Sequence, residues 1–203
     1  MILDNIVAYK KIQIEKEKEK TPLDILLPYV EDRKTRNFKA ALCNENISFI
    51  AEIKRASPSK GVIKEDFDPV LTAEIYEEAQ VDAVSILTER NFFMGSDEYI
   101  AGAKKVNSKP VLRKDFIIDE YQLFQSKAIG ADAVLLIASI LGSKLFRFYH
   151  TARDLGLDVL TEVHSEKELY GALSAGCDIV GINNRDLKNF NVSMNTTDRK
   201  SVV

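Results

Sequence analysis

A short joint recurs along the chain wherever a helix-like stretch gives way to an apolar run. The joint consists of a glycine, one variable residue, an aspartate and then the run, and it occurs at Gly130–Asp132, Gly156–Asp158 and Gly176–Asp178. A weaker copy without the glycine contains Asp82. Because glycine commonly follows the last turn of a helix, each joint marks a helix end that leads into a strand. The recurrence predicts a fold assembled from repeated βα units.

Six short apolar runs are the strand candidates. They are rich in Val, Ile and Leu and show little alternation, which is typical of parallel strands buried on both faces. They span residues 48–53, 83–87, 110–113, 133–137, 158–161 and 179–182. No Gly-x-Gly-x-x-Gly follows the first run, so a dinucleotide-binding sheet has no support. The regular repeat favours an α/β fold of the TIM (β/α)8-barrel type, with about six of the eight βα units present.

The segment before the first strand predicts helices. Residues 2–20 place apolar side chains at loosely helical spacing and end in alternating Glu and Lys, which indicates one apolar stripe and a solvated end. A second helix is expected within residues 23–43. We therefore predict a single domain over residues 1–203, with an N-terminal helical extension at 1–47 and an incomplete barrel at 48–203.

Composition argues against several classes of partner and site. With 28 Lys and Arg against 31 Asp and Glu, the net charge is -3, which gives no general attraction for nucleic acid. No apolar run reaches the roughly 18 residues of a membrane span, and the N-terminus lacks a secretory pattern, so we expect a cytoplasmic protein. The two cysteines and two histidines lack metal-type spacing, so no metal site is expected.

Charged and polar side chains stand directly after the predicted strands. The C-terminal ends of barrel strands form one rim, and that rim carries the active site of TIM barrels. Opposed Lys and Glu at one mouth supply the groups for proton transfer, and the cations bind anions. These residues are Glu52, Lys54, Arg55, Ser57, Thr88, Glu89, Lys114, Asp115, Glu162, Asn183 and Arg185. The pattern predicts a barrel enzyme that acts on a small anion.

Six motifs, in order along the chain, make the predicted function of these rim residues more specific. The stretch Ile-Ala-Glu-Ile-Lys-Arg-Ala-Ser-Pro-Ser-Lys-Gly at residues 50–61 closely resembles the signature of the indole-3-glycerol-phosphate synthases. The likeness includes the helical extension, covers nearly the whole chain, and continues through residues 85–96, 110–122, 133–137, 160–164 and 181–187. The resemblance implies a ribulose-phosphate-binding barrel and a carbon–carbon lyase of tryptophan biosynthesis.

The resemblance also implies the reaction. Members of this family close a ring on 1-(2-carboxyphenylamino)-1-deoxyribulose 5-phosphate, with loss of carbon dioxide and water, to give indole-3-glycerol phosphate. The expected partner is therefore a small phosphorylated molecule, without nucleic acid or membrane, and no metal or organic cofactor is expected.

Residue roles follow from the same resemblance. Lys114 is the expected general acid for the ketone oxygen, and Glu162 is the expected general base. Lys54 is a second candidate proton donor, for the dehydration, while Glu52 holds a lysine and is a second candidate base; the sequence leaves the division of steps open. Residues expected to orient substrate are Asn183, Arg185 and Ser57. Those expected to form an apolar wall, with ordinary core packing as the alternative, are Phe93, Phe116, Leu135, Ile137 and Leu187.

The resemblance stops before the seventh and eighth strands of such a barrel. Those strands and their loops would supply most of the phosphate site, and the edge strands would be left unpaired. We therefore expect that the open barrel edges permit self-association and that the chain is inactive or severely impaired, unless a partner or a second copy supplies the missing part. Two alternatives to the lyase stay open. One is an inactive fragment or pseudo-enzyme of the family, and the other is a phosphate-binding isomerase or an aldolase that forms a Schiff base.

Overall fold

The computed structural model describes residues 2–184, so the predicted site residues Arg185 and Leu187 lie outside the described part. The strands are β1 (Ile50–Ile53), β2 (Ala56–Ser57), β3 (Gly61–Val62), β4 (Ala83–Leu87), β5 (Val111–Lys114), β6 (Ala133–Ile137), β7 (Asp158–Val163) and β8 (Val180–Ile182). A six-stranded sheet has the order β1-β4-β5-β6-β7-β8, and every neighbouring pair in it is parallel.

All six predicted strands are confirmed, with bounds that differ by a few residues at most. Consecutive parallel strands joined by helices give the incomplete α/β barrel that the repeat predicts. The antiparallel pair β2–β3 was not predicted, because two strands of two residues each carry no recognisable apolar pattern. The division of the chain at residues 47 and 48 stays a prediction.

In residues 2–184, three helices precede the first strand and the others lie between later strands in the sequence. The helices are α1 (Ile2–Lys20), α2 (Leu23–Asp32), α3 (Phe38–Leu42), α4 (Pro69–Glu78), α5 (Glu98–Val106), α6 (Tyr121–Ile129), α7 (Ala138–Leu141), α8 (Leu145–Asp154) and α9 (Glu166–Ser174), with a 3-10 turn at Gly142–Lys144. The prediction of α1 is confirmed. None of the helices in residues 2–184 is long and apolar enough to cross a membrane.

The second predicted helix is α2, and the further short helix α3 is separate from it because tertiary contacts hold the backbone between them in another conformation. After α2 ends, the Thr35 hydroxyl donates to the Gly156 carbonyl at 2.8 Å, and the Arg36 backbone N–H donates to the Asp132 carboxylate at 2.8 Å. These partners lie about a hundred residues away in the sequence, so local periodicity gives no sign of them. The prediction of a helix within residues 23–43 is therefore confirmed by α2, whereas the separate helix α3 was not predicted.

Apolar packing between the sheet and its helices forms the largest part of the core. Val84 and Ile86 of β4 are fully buried and pack with Ile100 of α5 and Ala73 of α4. A similar cluster joins β6 and β7 to α8 and α9. Each fully buried Val, Leu or Ile side chain contributes about 1.5–3 kcal/mol. This packing fixes the strand directions and hence the positions of the side chains at the strand ends.

Residues 33–49, which we call the lower segment, cross the N-terminal end of the sheet. The aspartates of the recurring joint bind this segment. Asp132 accepts from the Arg36 backbone N–H, and Asp158 accepts from the Lys39 backbone N–H at 2.9 Å. The joint therefore has a structural use, which is to attach the extension beneath the barrel.

Phe38 of α3 closes the same end of the sheet from inside. Its side chain is fully buried and packs against Ala83, Leu112 and Ala133, which begin or lie within three adjacent strands. The Asn37 side chain caps α3 by accepting from the Ala40 backbone N–H at 2.7 Å. The N-terminal end of the sheet is thus filled and hydrogen-bonded, which leaves the C-terminal end as the open one.

Candidate active site at the C-terminal rim

A cleft of about 250 Å³ opens at the C-terminal ends of the strands, which form the rim. The strand-end residues Arg55, Thr88 and Glu89 do not line this cleft, but all the described residues with a predicted catalytic or substrate-binding role do. They are Glu52, Lys54, Ser57, Phe93, Lys114, Phe116, Leu135, Ile137, Glu162 and Asn183. The sequence therefore identified which side chains converge, although convergence alone does not assign their roles.

Glu52 stands between two lysines. Its Oε1 is paired with Lys54 Nζ, and its Oε2 lies 3.8 Å from Lys114 Nζ. The side chains of Lys54 and Lys114 remain 31% and 34% exposed, so both ammonium groups can still reach a ligand in the cleft. This geometry fits a residue that orients lysines, and it keeps two proton donors within one site.

Glu162 of β7 also lines the cleft, and its side chain is largely buried. Burial alone would raise the pKa of its carboxyl. The contact with His164, the charge of Lys114 and a hydrogen bond from Asn183 outweigh burial, so the pKa of Glu162 is lowered. An ionised carboxylate is a proton acceptor, and a lowered pKa keeps it ionised at neutral pH at some cost in basicity.

An aromatic wall borders these charges. The rings of Phe93 and Phe116 have centroids 6.0 Å apart and are tilted by 38°. Phe93 is held by the buried Glu89 carboxylate, which accepts from the backbone N–H groups of Phe92 at 2.6 Å and Phe93 at 3.1 Å. Glu89 therefore shapes the loop rather than reaching the cleft, which corrects its place among the expected rim groups.

A buried ionic cluster lies directly behind Lys114. Asp115 accepts from the Thr88 hydroxyl at 2.7 Å and lies 2.8 Å from Lys10 Nζ, with Arg113 at 3.3 Å. Burial would raise the pKa of Asp115, but the two neighbouring cations and these hydrogen bonds lower it. The cluster ties helix α1 to the end of β5, which fixes the backbone that carries Lys114.

Sequence reasoning missed Lys10, which is almost fully buried in α1. A signal was present, because Lys10 falls between Ile6 and Ile14 at four-residue spacing and so interrupts a buried stripe. Lysines are rarely buried without a partner, so a lysine within an apolar stripe indicates a buried carboxylate nearby.

The lining residues Ser59, Lys60 and Ile63, from the β2–β3 hairpin and the residue after it, were also not predicted. No carboxylate in residues 2–184 comes within ion-pair distance of Lys60. The family signature contains these positions, but nothing in the spacing distinguishes a loop lysine that faces a cleft from one that faces solvent.

Comparison with known proteins identifies relatives over almost the full chain. A sequence model described as indole-3-glycerol phosphate synthase matches residues 3–201. Proteins named indole-3-glycerol phosphate synthase from Thermoanaerobacter pseudethanolicus and Clostridium acetobutylicum are each 57% identical over 98% of this chain, and the match covers 76% and 77% of those proteins. One with the same name from Acetivibrio thermocellus is 48% identical over 98% of this chain and 78% of its own length.

Proposed function

The chain belongs to the indole-3-glycerol phosphate synthase family, and from that premise we propose how its rim residues perform the ring closure. The substrate is 1-(2-carboxyphenylamino)-1-deoxyribulose 5-phosphate, and the products are indole-3-glycerol phosphate, carbon dioxide and water. One observation carries the proposal: Lys114 lies between two carboxylates, Glu52 and Glu162, in a cleft with an aromatic wall. Proton donors and an acceptor thus face the same small volume.

Lys114 acts in the condensation. As the ring carbon that bears the carboxylate attacks the ketone carbon, the ketone oxygen takes a proton from the Lys114 ammonium and becomes a hydroxyl. Carbon dioxide then leaves from the same ring carbon, and its bonding electrons restore the aromatic ring. The pairing of Lys114 with Glu52 supports this role, because it orients the ammonium without burying it.

Lys54 and Glu162 act in the dehydration. Lys54 protonates the new hydroxyl so that it leaves as water, while Glu162 accepts the proton that the substrate loses. Lys54 follows β1 and Glu162 lies on β7, and this separation supports the division, since the acid and the base must reach different atoms of the substrate. Asn183 and Ser57 orient the substrate by hydrogen bonds, and Glu52 is retained as a second candidate base.

The apolar wall and Lys60 bind the two chemically different parts of the substrate. Phe93, Phe116, Leu135 and Ile137 contact the aromatic ring, while Lys60 pairs with an anionic group. Among the ionisable residues of 2–184 that line the cleft, Asp115 is paired with the buried cations Lys10 and Arg113, which leaves Lys54, Lys60 and Lys114 facing Glu52 and Glu162. The resulting excess of one positive charge favours an anionic substrate.

Replacement of Lys114 by Ala tests the proposal. Loss of the general acid should lower turnover by about 10²–10⁴-fold, followed by the fluorescence of the indole product. Lys105→Ala, which removes an exposed lysine of α5, is the matched control and should turn over like the wild type. Turnover by Lys114→Ala equal to that of the wild type would contradict the role, and a folded wild-type chain that neither binds nor converts the substrate even when self-associated would contradict the function.

The comparisons do not favour the alternatives of an inactive fragment, an isomerase or an aldolase. Borohydride trapping would detect the Schiff base of an aldolase, and none is expected. Cytoplasmic location stays a prediction. Self-association through the barrel edges also stays a prediction; it is supported by the exposure of Phe49 and Ile50 at the β1 edge and would appear as a dimer in sedimentation.

A further inference from the structure

His164, two residues beyond Glu162, lies within ion-pair distance of that carboxylate and of a second one. His164 Nε2 lies 3.3 Å from Glu162 Oε1, and His164 Nδ1 lies 3.5 Å from Glu168 Oε2. The side chains of His164 and Glu162 are only 16% and 14% exposed. The imidazole therefore stands between two carboxylates in a place that bulk water reaches poorly.

Glu168 is held in position from the start of helix α9. Its Oε2 accepts from the His164 backbone N–H at 2.8 Å, and its Oε1 accepts from the Ser165 hydroxyl at 3.0 Å. The Ser165 hydroxyl in turn accepts from the Glu168 backbone N–H at 3.2 Å, so the two residues form a reciprocal cap. The outer carboxylate is thus fixed by the helix and can fix the ring.

We propose that His164 is a positioning residue, held as an imidazolium between Glu168 and Glu162, that orients the Glu162 carboxylate for proton transfer. A neutral imidazole has one N–H, so one of its nitrogens would face a carboxylate with a lone pair. Only the doubly protonated ring offers a donor to both sides. This inference rests on the proposed role of Glu162 as the base.

The surrounding charges agree with this arrangement. In residues 2–184, the groups that face the ring are Glu162 of β7 and Glu168 of α9, while Lys114 of β5 and Asn183 after β8 act on Glu162. Burial would lower the pKa of His164, but the two carboxylates outweigh it and raise the pKa. The charged pair of His164 and Glu162 therefore exists from the lowered pKa of Glu162 up to the raised pKa of His164.

Histidine NMR tests the contact without any need for turnover. The chain has two histidines, so the spectrum of His150→Gln assigns the two ring signals. In the wild type, the exposed His150 of α8 serves as an internal reference. The His164 ring should titrate above its ordinary value of 6.5. Glu162→Gln and Glu168→Gln should each lower its midpoint by about one pH unit. A His164 midpoint that neither variant moves would overturn the proposal.

The pH dependence of kcat tests the consequence for the reaction. His164→Gln removes the positive charge and should move the acidic limb of the profile upward by about one pH unit, because Glu162 then ionises less readily. Glu168→Gln, which can still cap α9, should produce a smaller shift in the same direction. In both variants kcat should fall while KM changes little, whereas His150→Gln should match the wild type.

A purely structural role for His164 would lower the unfolding midpoint of the variants and leave the acidic limb in place, and that result would overturn the proposal. The two failures are distinguishable. Absence of turnover in the wild type would remove the proposed function, while the NMR titration would still decide whether His164 is held between the two carboxylates.

Discussion

The two ends of the parallel sheet carry similar charged side chains, but these side chains differ in how completely hydrogen bonds and ion pairs within the chain bind them. At the N-terminal end, the fully buried Asp132 accepts from the backbone N–H groups of Arg36 and Val111, each at 2.8 Å, and from Lys104 Nζ at 2.7 Å. At the C-terminal rim, Lys54 and Lys114 share Glu52 and stay about a third exposed. At the N-terminal end the charged group is bound within the chain, whereas at the C-terminal rim the lysines can still bind a ligand.

This difference explains how one fold separates stability from chemistry. A fully buried carboxylate with three internal donors stabilises the folded state and lies out of reach of a ligand. Partly exposed lysines that share one carboxylate contribute little to folding, because solvent screens them, but they can pair with an anion. In TIM barrels generally, the N-terminal face serves stability and the C-terminal face carries the active site.

The largest effect is expected from Asp132→Ala. The variant leaves two backbone N–H groups and the Lys104 ammonium without their buried acceptor. We expect a loss of about 3–5 kcal/mol in the free energy of unfolding, measured by urea denaturation. Turnover per folded molecule should stay near the wild-type value, because the carboxylate lies at the end of the sheet away from the cleft.

Asp66→Ala is the matched control for this prediction, since Asp66 lies in an exposed loop. It should change the free energy of unfolding by no more than about 0.5 kcal/mol. If Asp132→Ala were as stable as this control, or if its folded fraction lost turnover, the separation between the two ends would be wrong.

The sequence predicted the elements whose signals are local. The six strands and the six charged or polar residues of the cleft followed from apolar runs and from the residues after them, whereas the four apolar wall residues followed from the family resemblance. Parallel strands bring those positions together wherever the helices lie, so errors in the helix bounds did not affect the prediction of which residues meet at the rim. The roles of individual rim residues could not be assigned from the sequence, because those roles depend on neighbouring side chains such as His164 and Glu168.

The joint aspartates show why the rest could not be predicted. Their recurrence was visible, but their partners are backbone N–H groups of the lower segment, whose identity no side chain reveals. Asp158, for example, binds the Lys39 N–H across 119 residues. The break between α2 and α3 has the same origin, since long-range hydrogen bonds fix the backbone there.

A smaller and pH-dependent effect is expected from Asp178→Asn. Burial would raise the pKa of Asp178, but the hydrogen bond and charge of Lys39, with Tyr149 and Arg153, outweigh it and lower the pKa. A lowered carboxyl pKa stabilises the fold above the ordinary value of 3.8, and this contribution is lost as pH falls through the lowered value.

Thermal unfolding of the wild type and Asp178→Asn between neutral and strongly acidic pH checks this expectation. The difference between their midpoints should be largest near neutral pH and should shrink below pH 3.8. A difference that grew on acidification would show that Asp178 does not act through its charge.

The most direct test of the account is the free energy of unfolding of Lys114→Met, measured by urea denaturation beside the wild type. If the rim lysines serve chemistry and not folding, the variant should keep the wild-type stability within about 0.5 kcal/mol while its turnover collapses. A loss of about 3 kcal/mol, as great as that expected from breaking a buried ion pair, would contradict the account, because the rim would then hold the fold together as the N-terminal end does.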